Sequence, residues 1–420
     1  MVNLKHFLIL LLLIIPIFAV NTYGYSRVKI ERSWTLNNIA GNEIDFRGAL
    51  VVNDTNQNVL MVFTEPTVDL MQDENGTIWV IYKGSSIYNS MNITASAIVD
   101  IIYNTEIYSD STVPKDHPSS FTDLTTPSHE MIVESERLAI DESSLNTAAN
   151  LVNRVHESVE YDLSYWGKVY PAQDVFKERK GVCVEYSHLF LSMARSLGFE
   201  TRYVSGYVFA DSWQPHAWTE IYIPNYGWLS ADPIFGQLGI IDNSHVAIQH
   251  GDDQNSIYDL LVSQNTNATL YGENDLTLEF SSEEPEPAGI TLAFDNVTYA
   301  INITLTNTRP QYVFGSYDFI PPRGYGQRES YILLLEPYEV KTIEHHLDAS
   351  LFEPGFAYKL PISSSFNDAR IYEVLEVVIP NKEETYSKLD IDDKNLLCCY
   401  PQAIFCILLS SVFVIRRVQQ

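Results

Sequence analysis

Cysteine is almost missing from this chain: between residue 1 and residue 397 there is one, Cys183, and the other three, Cys398, Cys399 and Cys406, sit together in an apolar tail. That excludes an internal disulfide framework and every paired-cysteine metal motif. Basic residues are also scarce, 26 against 54 acidic ones for a formal charge of −28, and no Lys/Arg cluster interrupts the imbalance. Without a cationic face to meet phosphates, nucleic acid is excluded as a partner. The chain also lacks a P-loop, a dinucleotide fingerprint, an H-E-x-x-H motif and an internal repeat, so the commonest nucleotide and zinc chemistries have no signature here.

Both ends are apolar. "MVNLKHFLILLLLIIPIFAVNTYGYS" pairs Lys5 with 14 residues from Phe7 to Val20, too few to span a bilayer comfortably. It reads as a secretory signal over 1–24 with Tyr25 as first mature residue, an uncleaved anchor being the alternative. At the other end Leu396–Ile415 runs 20 residues without a charge and is followed by Arg416 and Arg417. At about 1.5 Å per residue it reaches roughly 30 Å, one hydrocarbon core. The positive-inside rule then puts 416–420 in the cytoplasm and everything upstream outside, on a polar stalk at 383–395. The expected location is therefore the extracellular face of the cell membrane.

Between these ends, 420 residues with 45% apolar content exceed a single core, and several domains are expected. Short strand-like runs ("GALVV", "LMVF", "TIWVIY", "AIVDII") over 25–110 predict a β-sandwich, and a Pro/Ser/Thr-rich connector covers 111–135. From 136 to 275 helices come first. Leu145, Ala148, Ala149, Val152, Val155 and Val159 recur at helical spacing; a short helix runs from Pro171 to Lys180; a third starts near Cys183 with Tyr186, Leu189, Phe190, Met193, Ala194 and Leu197 as its apolar stripe. Strands follow in "ETRYVSGYVFA", "HAWTEIYIPN" and "GWLSAD". Helices succeeded by antiparallel strands make this segment α+β. Strands return over 276–382, where Val297, Tyr299, Ile301, Ile303 and Leu305 alternate with polar residues, predicting a second β-sandwich. N-x-S/T triplets at Asn53, Asn75, Asn92, Asn267, Asn296 and Asn302 permit glycosylation of an exported chain.

An exported thiol without a partner leaves three readings: a buried apolar residue, an intermolecular bridge, or a reactive thiolate. In "KGVCVEYSHLF", Cys183 follows Gly181 and falls in the first turn of its helix, where unpaired amides and the helix dipole favour a negative charge. A nucleophile of this kind also needs a base and an orienter for the base. His216 in "WQPHAWTEIY" opens a strand and Asp232 in "WLSADPIFG" ends the next; if the two strands pair through the turn at Tyr226 and Gly227, these side chains become neighbours. His188, five residues beyond Cys183, lies roughly 140° round the helix from it and points elsewhere. His245 and His250 lie in a polar segment that shows no clear strand.

These residues carry a resemblance. "YPAQDVFKERKGVCVEYSHLFLSMARSLGFETRYVSGY" followed by "PHAWTEIYIPNYGWLSADPIFG" is similar to the core of the transglutaminase-like superfamily, in which a G-x-C motif starts the central helix, H-A-W opens a strand and D-P closes the next. The resemblance covers roughly 136–240. It implies a transglutaminase-like (papain-like) α+β core, a central helix on an antiparallel sheet, between two β-sandwich (Ig-like) domains. It also implies Cys183 as nucleophile, His216 as general base and then acid, and Asp232 as the residue that orients the imidazole. The papain group separates Cys from His by roughly 130 residues or more, so close kinship with it is excluded, and the zinc-ribbon pair of the glycan-releasing branch is absent. The Cys183 amide is the default oxyanion donor, with Gln173 or Trp166 for a second, and Trp213 and Trp218 are expected to line the cleft.

The expected function is thiol acyl transfer on protein or peptide amide bonds, hydrolytic (peptidase or deamidase) rather than cross-linking. No cofactor is required; calcium stays open because of acidic loops such as "HGDDQN". The competing readings are a catalytically silent surface-interaction protein and a Cys183 engaged in an intermolecular disulfide or an internal ester-type bond.

Overall fold

The strand "SRVKIERSWTLN" puts Val28, Ile30, Trp34 and Leu36 on one face, all fully buried, and that period of two builds the first sandwich. The computed structural model describes residues 26–86, 88–101, 107–114, 120–139, 143–209, 211–239, 244–265, 267–281, 290–297, 300–367 and 369–379. The expected signal, stalk, membrane helix and cytoplasmic tail lie outside these residues. Among the described residues no helix is long and apolar enough to cross a membrane.

The first sandwich begins with β1 (Ser26–Asn37), β2 (Gly41–Val52), β3 (Gln57–Glu65), β4 (Asp69–Gln72), β5 (Thr77–Ser86) and β6 (Ser90–Ile101). The chain then leaves it for α1 (His129–Leu138), α2 (Ser144–Ser158), β7 (Glu160–Tyr161), α3 (Ala172–Glu178), β8 (Lys180–Gly181) and α4 (Cys183–Ser196). β9 (Thr201–Phe209), β10 (Trp213–Ile223), β11 (Gly227–Asp232), β12 (Gln237–Leu238) and β13 (His245–Gly251) form one antiparallel sheet in the order β12-β11-β10-β9-β13. α2 and α4 pack their apolar stripes together over this sheet, with Leu151, Val155, Leu189, Phe190, Ile221 and Leu229 in a common core.

β14 (Leu260–Ser263) and β15 (Thr269–Ser281) return to the first sandwich, giving sheets β15-β1-β6-β3 and β14-β2-β5-β4. This differs from the boundary expected at 275/276. β1 carries its apolar face at the centre of its sheet, paired to β6 on one side and along its whole length to β15 on the other; without β15 it would be an open edge. The α+β segment is thus inserted between β6 and β14. The sandwich core runs on into the inserted sheet through Val204, Trp218, Val246 and Ile248. α1 likewise lies partly inside the expected linker, its polar sequence hiding a helix capped by Ser128, which accepts from the Met131 amide at 3.3 Å.

The last sandwich pairs β16 (Ile290–Val297), β17 (Ala300–Asn307) and β20 (Val340–His346) against β18 (Val313–Ile320), β19 (Glu329–Leu335), β21 (Ala357–Phe366) and β22 (Ala369–Val378). Ile301, Ile303 and Leu305 are fully buried, as the alternation predicts. Asn153 on α2 exchanges two hydrogen bonds with the Ile332 backbone on β19, at 2.9 and 2.7 Å, which docks this sandwich on the helices. Of the glycosylation triplets, Asn75, Asn92 and Asn267 are exposed, Asn53 and Asn302 are half-buried, and Asn296 lies on β16.

Candidate active site

The site is assembled from the start of α4 and the ends of three strands. Val182 is the N-cap of α4 and Cys183 its first residue. Valine has no acceptor to offer, so Glu185 caps instead. Its Oε2 accepts from the Val182 amide at 3.0 Å and its Oε1 from the Tyr170 amide at 3.2 Å. One buried carboxylate thereby fixes the helix start and holds the 166–170 loop against it. Burial pushes the Glu185 carboxyl up, and the two backbone donors oppose that. Gly181 is required by the same packing, since a Cβ there would lie 2.4 Å from the Glu185 Cβ.

His216 and Asp232 come together because β10 and β11 pair antiparallel, Thr219 opposite Ala231 and Ile223 opposite Gly227. The turn between them uses left-handed Asn225 (φ 70°) and Gly227 (φ 110°). His216 Nε2 donates to Asp232 Oδ2 at 2.6 Å, with Asp232 wholly buried. The other imidazole nitrogen, Nδ1, is not used by Asp232, and His216 and Cys183 line the same cleft. Burial alone would lower the basicity of His216; the Asp232 charge and hydrogen bond, together with Cys183, outweigh it and raise its pKa to about 10. For Asp232 burial works upward, but the His216 charge and the hydrogen bonds from His216 and His245 hold its carboxyl well below the usual range. The arrangement is a buried ion pair with the thiol beside it, the composition of an activated nucleophile.

His188 is spent elsewhere: its Nδ1 donates to the Tyr170 carbonyl at 3.1 Å and its Nε2 accepts from the Gln254 amide at 3.2 Å. Burial drops its pKa to about 4, so it is a neutral structural imidazole. His245 is the residue that sequence reasoning missed. It begins β13, is fully buried, and its Nε2 lies 3.1 Å from Asp232 Oδ2. Nothing in "HVAIQHG" announces a strand, because six of its seven residues are buried and burial on both faces erases the alternation.

Cys183 and His216 open into a cleft of about 550 Å³ between the inserted domain and the first sandwich. The 166–169 loop, Tyr203, Tyr207 and Ile257 line it, together with Arg32 of β1 and Asp259. Trp166 lines this cleft and is 58% exposed. Gln173, expected with Trp166 as a second oxyanion donor, and Trp213 and Trp218, expected to line the cleft, are not among its lining residues. Gln173 donates to the Thr126 carbonyl at 3.1 Å, away from the thiol. Trp213 packs edge-on against Phe209 at 5.3 Å. Trp218 is two residues from His216 on the same strand face, so it lies beneath the imidazole, nearly parallel to it at 6.0 Å, as part of the core. In the "HGDDQN" loop Asp253 is used internally, its Oδ1 accepting from the Asn255 and Ser256 amides. Among the described residues, two groups of side chains hold three ligand-type atoms within 4.8 Å of one another: His216, Asp232 and His245, and Asp54, Glu220 and His250. In the second, Arg202 bridges Glu220 at 2.5 Å and Asp54 at 3.1 Å, tying the sandwich loop to the sheet.

Residues 135–233 match the family model of the transglutaminase-like superfamily. Comparison with curated proteins gives no significant match. Among solved structures, a provisionally assigned cysteine protease from Cytophaga hutchinsonii aligns at 20% identity over 62% of this chain and 93% of its own, with a TM-score of 0.46. Red sea bream transglutaminase aligns at 9% identity over 84% of this chain and 78% of its own, TM-score 0.22. A provisionally assigned protease from Parabacteroides distasonis aligns at 9% identity over 55% and 68%, TM-score 0.22.

Proposed function

We propose that this protein, whose residues 135–233 match the family model of the transglutaminase-like superfamily, is a thiol acyl-transfer enzyme acting on protein or peptide amide bonds. The observation that carries the proposal is His216, held at 2.6 Å by the buried Asp232, lining one cleft together with Cys183. The Cys183 thiolate attacks the amide carbonyl, and the tetrahedral oxyanion is met by the backbone amide at the start of α4. The His216 imidazolium gives its proton to the departing amine as the C–N bond breaks, leaving a thioester and a neutral imidazole. That imidazole then takes a proton from the incoming acceptor, and when the C–S bond breaks the thiolate–imidazolium pair is restored. Asp232 moves no proton; its charge keeps the imidazolium stable and its Nε2 aligned.

Residues 166–169, which line the cleft, are all exposed, which supports water as acceptor, since a cross-linking enzyme must keep water from its thioester. We therefore read the activity as hydrolytic, a peptidase or deamidase. The apolar segments at 7–20 and 396–415 support an exported, membrane-anchored enzyme.

Incubating the protein and its Cys183→Ala variant with mixed polypeptides plus a fluorescent primary amine tests this. New N-termini or converted glutamines dependent on Cys183, without amine incorporation, are expected; amine incorporation in preference to hydrolysis would reassign it as a cross-linking enzyme, and no Cys183-dependent product would remove the proposal.

A further inference from the structure

We infer that His245 is a positioning residue for the Cys183–His216–Asp232 relay, and that through it the first sandwich takes part in building the catalytic centre. The inference rests on the function proposed above. Asp232 meets four donors. Its Oδ1 accepts from the Ile234 amide at 2.9 Å and the Phe235 amide at 3.2 Å, which fix one oxygen to the turn after β11. Its Oδ2 takes the two imidazoles, His216 at 2.6 Å and His245 at 3.1 Å. The backbone pair alone leaves the carboxylate plane free to tilt about Oδ1. His245 removes that freedom by holding Oδ2, the same oxygen to which His216 donates.

The surroundings argue for this role over simple space filling. His245 has Trp218 edge-on at 5.2 Å and Phe235 edge-on at 5.9 Å, with His216 at 5.5 Å. A phenylalanine would fill an aromatic pocket of this kind without the cost of burying an imidazole. The polar ring is at home there because a buried carboxylate stands within reach of its N–H.

His245 is also held from outside the catalytic domain. β13 breaks register with β9 between Ala247 and Gln249, and at that irregularity Gln57, on β3 of the sandwich, supplies the missing partners. Gln57 Oε1 accepts from the Ala247 amide at 2.9 Å, and its Nε2 donates to the Ala247 and Val52 carbonyls, both at 2.8 Å. Gln57 is 3% exposed, so these bonds are shielded from water. A continuous chain of contacts then runs from the sandwich through Gln57, β13 and His245 to Asp232 and His216.

The test needs no substrate. Alkylation of Cys183 by iodoacetamide at pH 6 is followed by mass spectrometry in wild type, His216→Ala, His245→Phe and His245→Gln, with thermal melts alongside. The phenylalanine keeps the ring and removes the donor; the glutamine places an N–H near the lost Nε2. Slowing of about tenfold in His245→Phe, with His245→Gln restored to within about threefold of wild type, is expected. His245→Phe alkylating at the wild-type rate, or both variants slowed equally, overturns the inference while His216→Ala still slows. His216→Ala reacting like wild type sinks the proposed function, and this inference with it. If His245→Phe does not fold, His245→Asn, whose amide is too short to reach Oδ2, takes its place with the same expected slowing.

Discussion

Gly206 stands directly opposite His216 in the β9–β10 ladder, and its missing side chain makes room for the tryptophan beneath the imidazole. A Cβ at 206 would lie 2.0 Å from the Val246 carbonyl oxygen and 2.8 Å from the Trp218 ring. The first of these is backbone and cannot rotate away. Gly206→Ala is therefore expected to cost at least about 1–3 kcal/mol, read as a fall in denaturation midpoint, and to slow Cys183 alkylation by displacing the Trp218–His216 stack.

Asp232→Asn is close to isosteric and keeps an oxygen for the Ile234 and Phe235 amides, so the fold should survive. The charge that holds His216 protonated disappears. Turnover is expected to fall on the order of 10²- to 10⁴-fold with little change in KM, measured by steady-state kinetics on any substrate found. A variant retaining a tenth of the activity would show that Asp232 is not the orienting group.

What the sequence made legible and what it did not have separate physical causes. Cys183, His216 and Asp232 were readable because each sits where an element begins or ends, after Gly181, at the opening of β10 and at the close of β11, and such positions carry strong local signals. The α4 stripe and the Ile301–Leu305 alternation were readable for the same kind of reason. His245 was hidden because a strand buried on both faces has no period to detect. The return of β14 and β15 to the first sandwich was hidden because pairing across more than 200 residues, such as Trp34 with Gly272, leaves no trace in local pattern. Trp213 and Trp218 were misplaced because an aromatic beside a catalytic histidine looks the same in sequence whether it lines the cleft or supports it from below.

Glu185 links two parts of the site, so its removal should affect both. Glu185→Ala leaves the Val182 and Tyr170 amides without their acceptor. The expected loss is about 1–3 kcal/mol in unfolding free energy. Hydrogen exchange should also rise at both the start of α4 and the 166–170 loop. Faster exchange at only one of the two would mean the carboxylate does not couple them.

The ion pair carries a pH signature with a definite sign. His216 has its folded pKa raised to about 10, against about 6.5 for a free imidazole. Its contribution to stability is full below about pH 6.5 and is lost as pH rises through about 10, because in that window the folded state holds a proton that the unfolded state has released. The melting temperature of wild type should therefore fall more steeply between these pH values than that of His216→Ala. Asp232, with its carboxyl held down, contributes in the opposite sense, losing its share only in strong acid. Parallel curves for wild type and His216→Ala would show that the pair is not charged in the folded protein.

The central claim, that Cys183 is an ion-paired nucleophile, is tested most directly by its rate of alkylation as a function of pH, in wild type and His216→Ala. Wild type is expected to keep reacting at pH values where an ordinary thiol is fully protonated, below the usual range near about 8.5, and His216→Ala to lose that reactivity. A rate in wild type that follows an ordinary thiol and is unchanged by His216→Ala, or a thiol that reacts only on unfolding, would contradict the account.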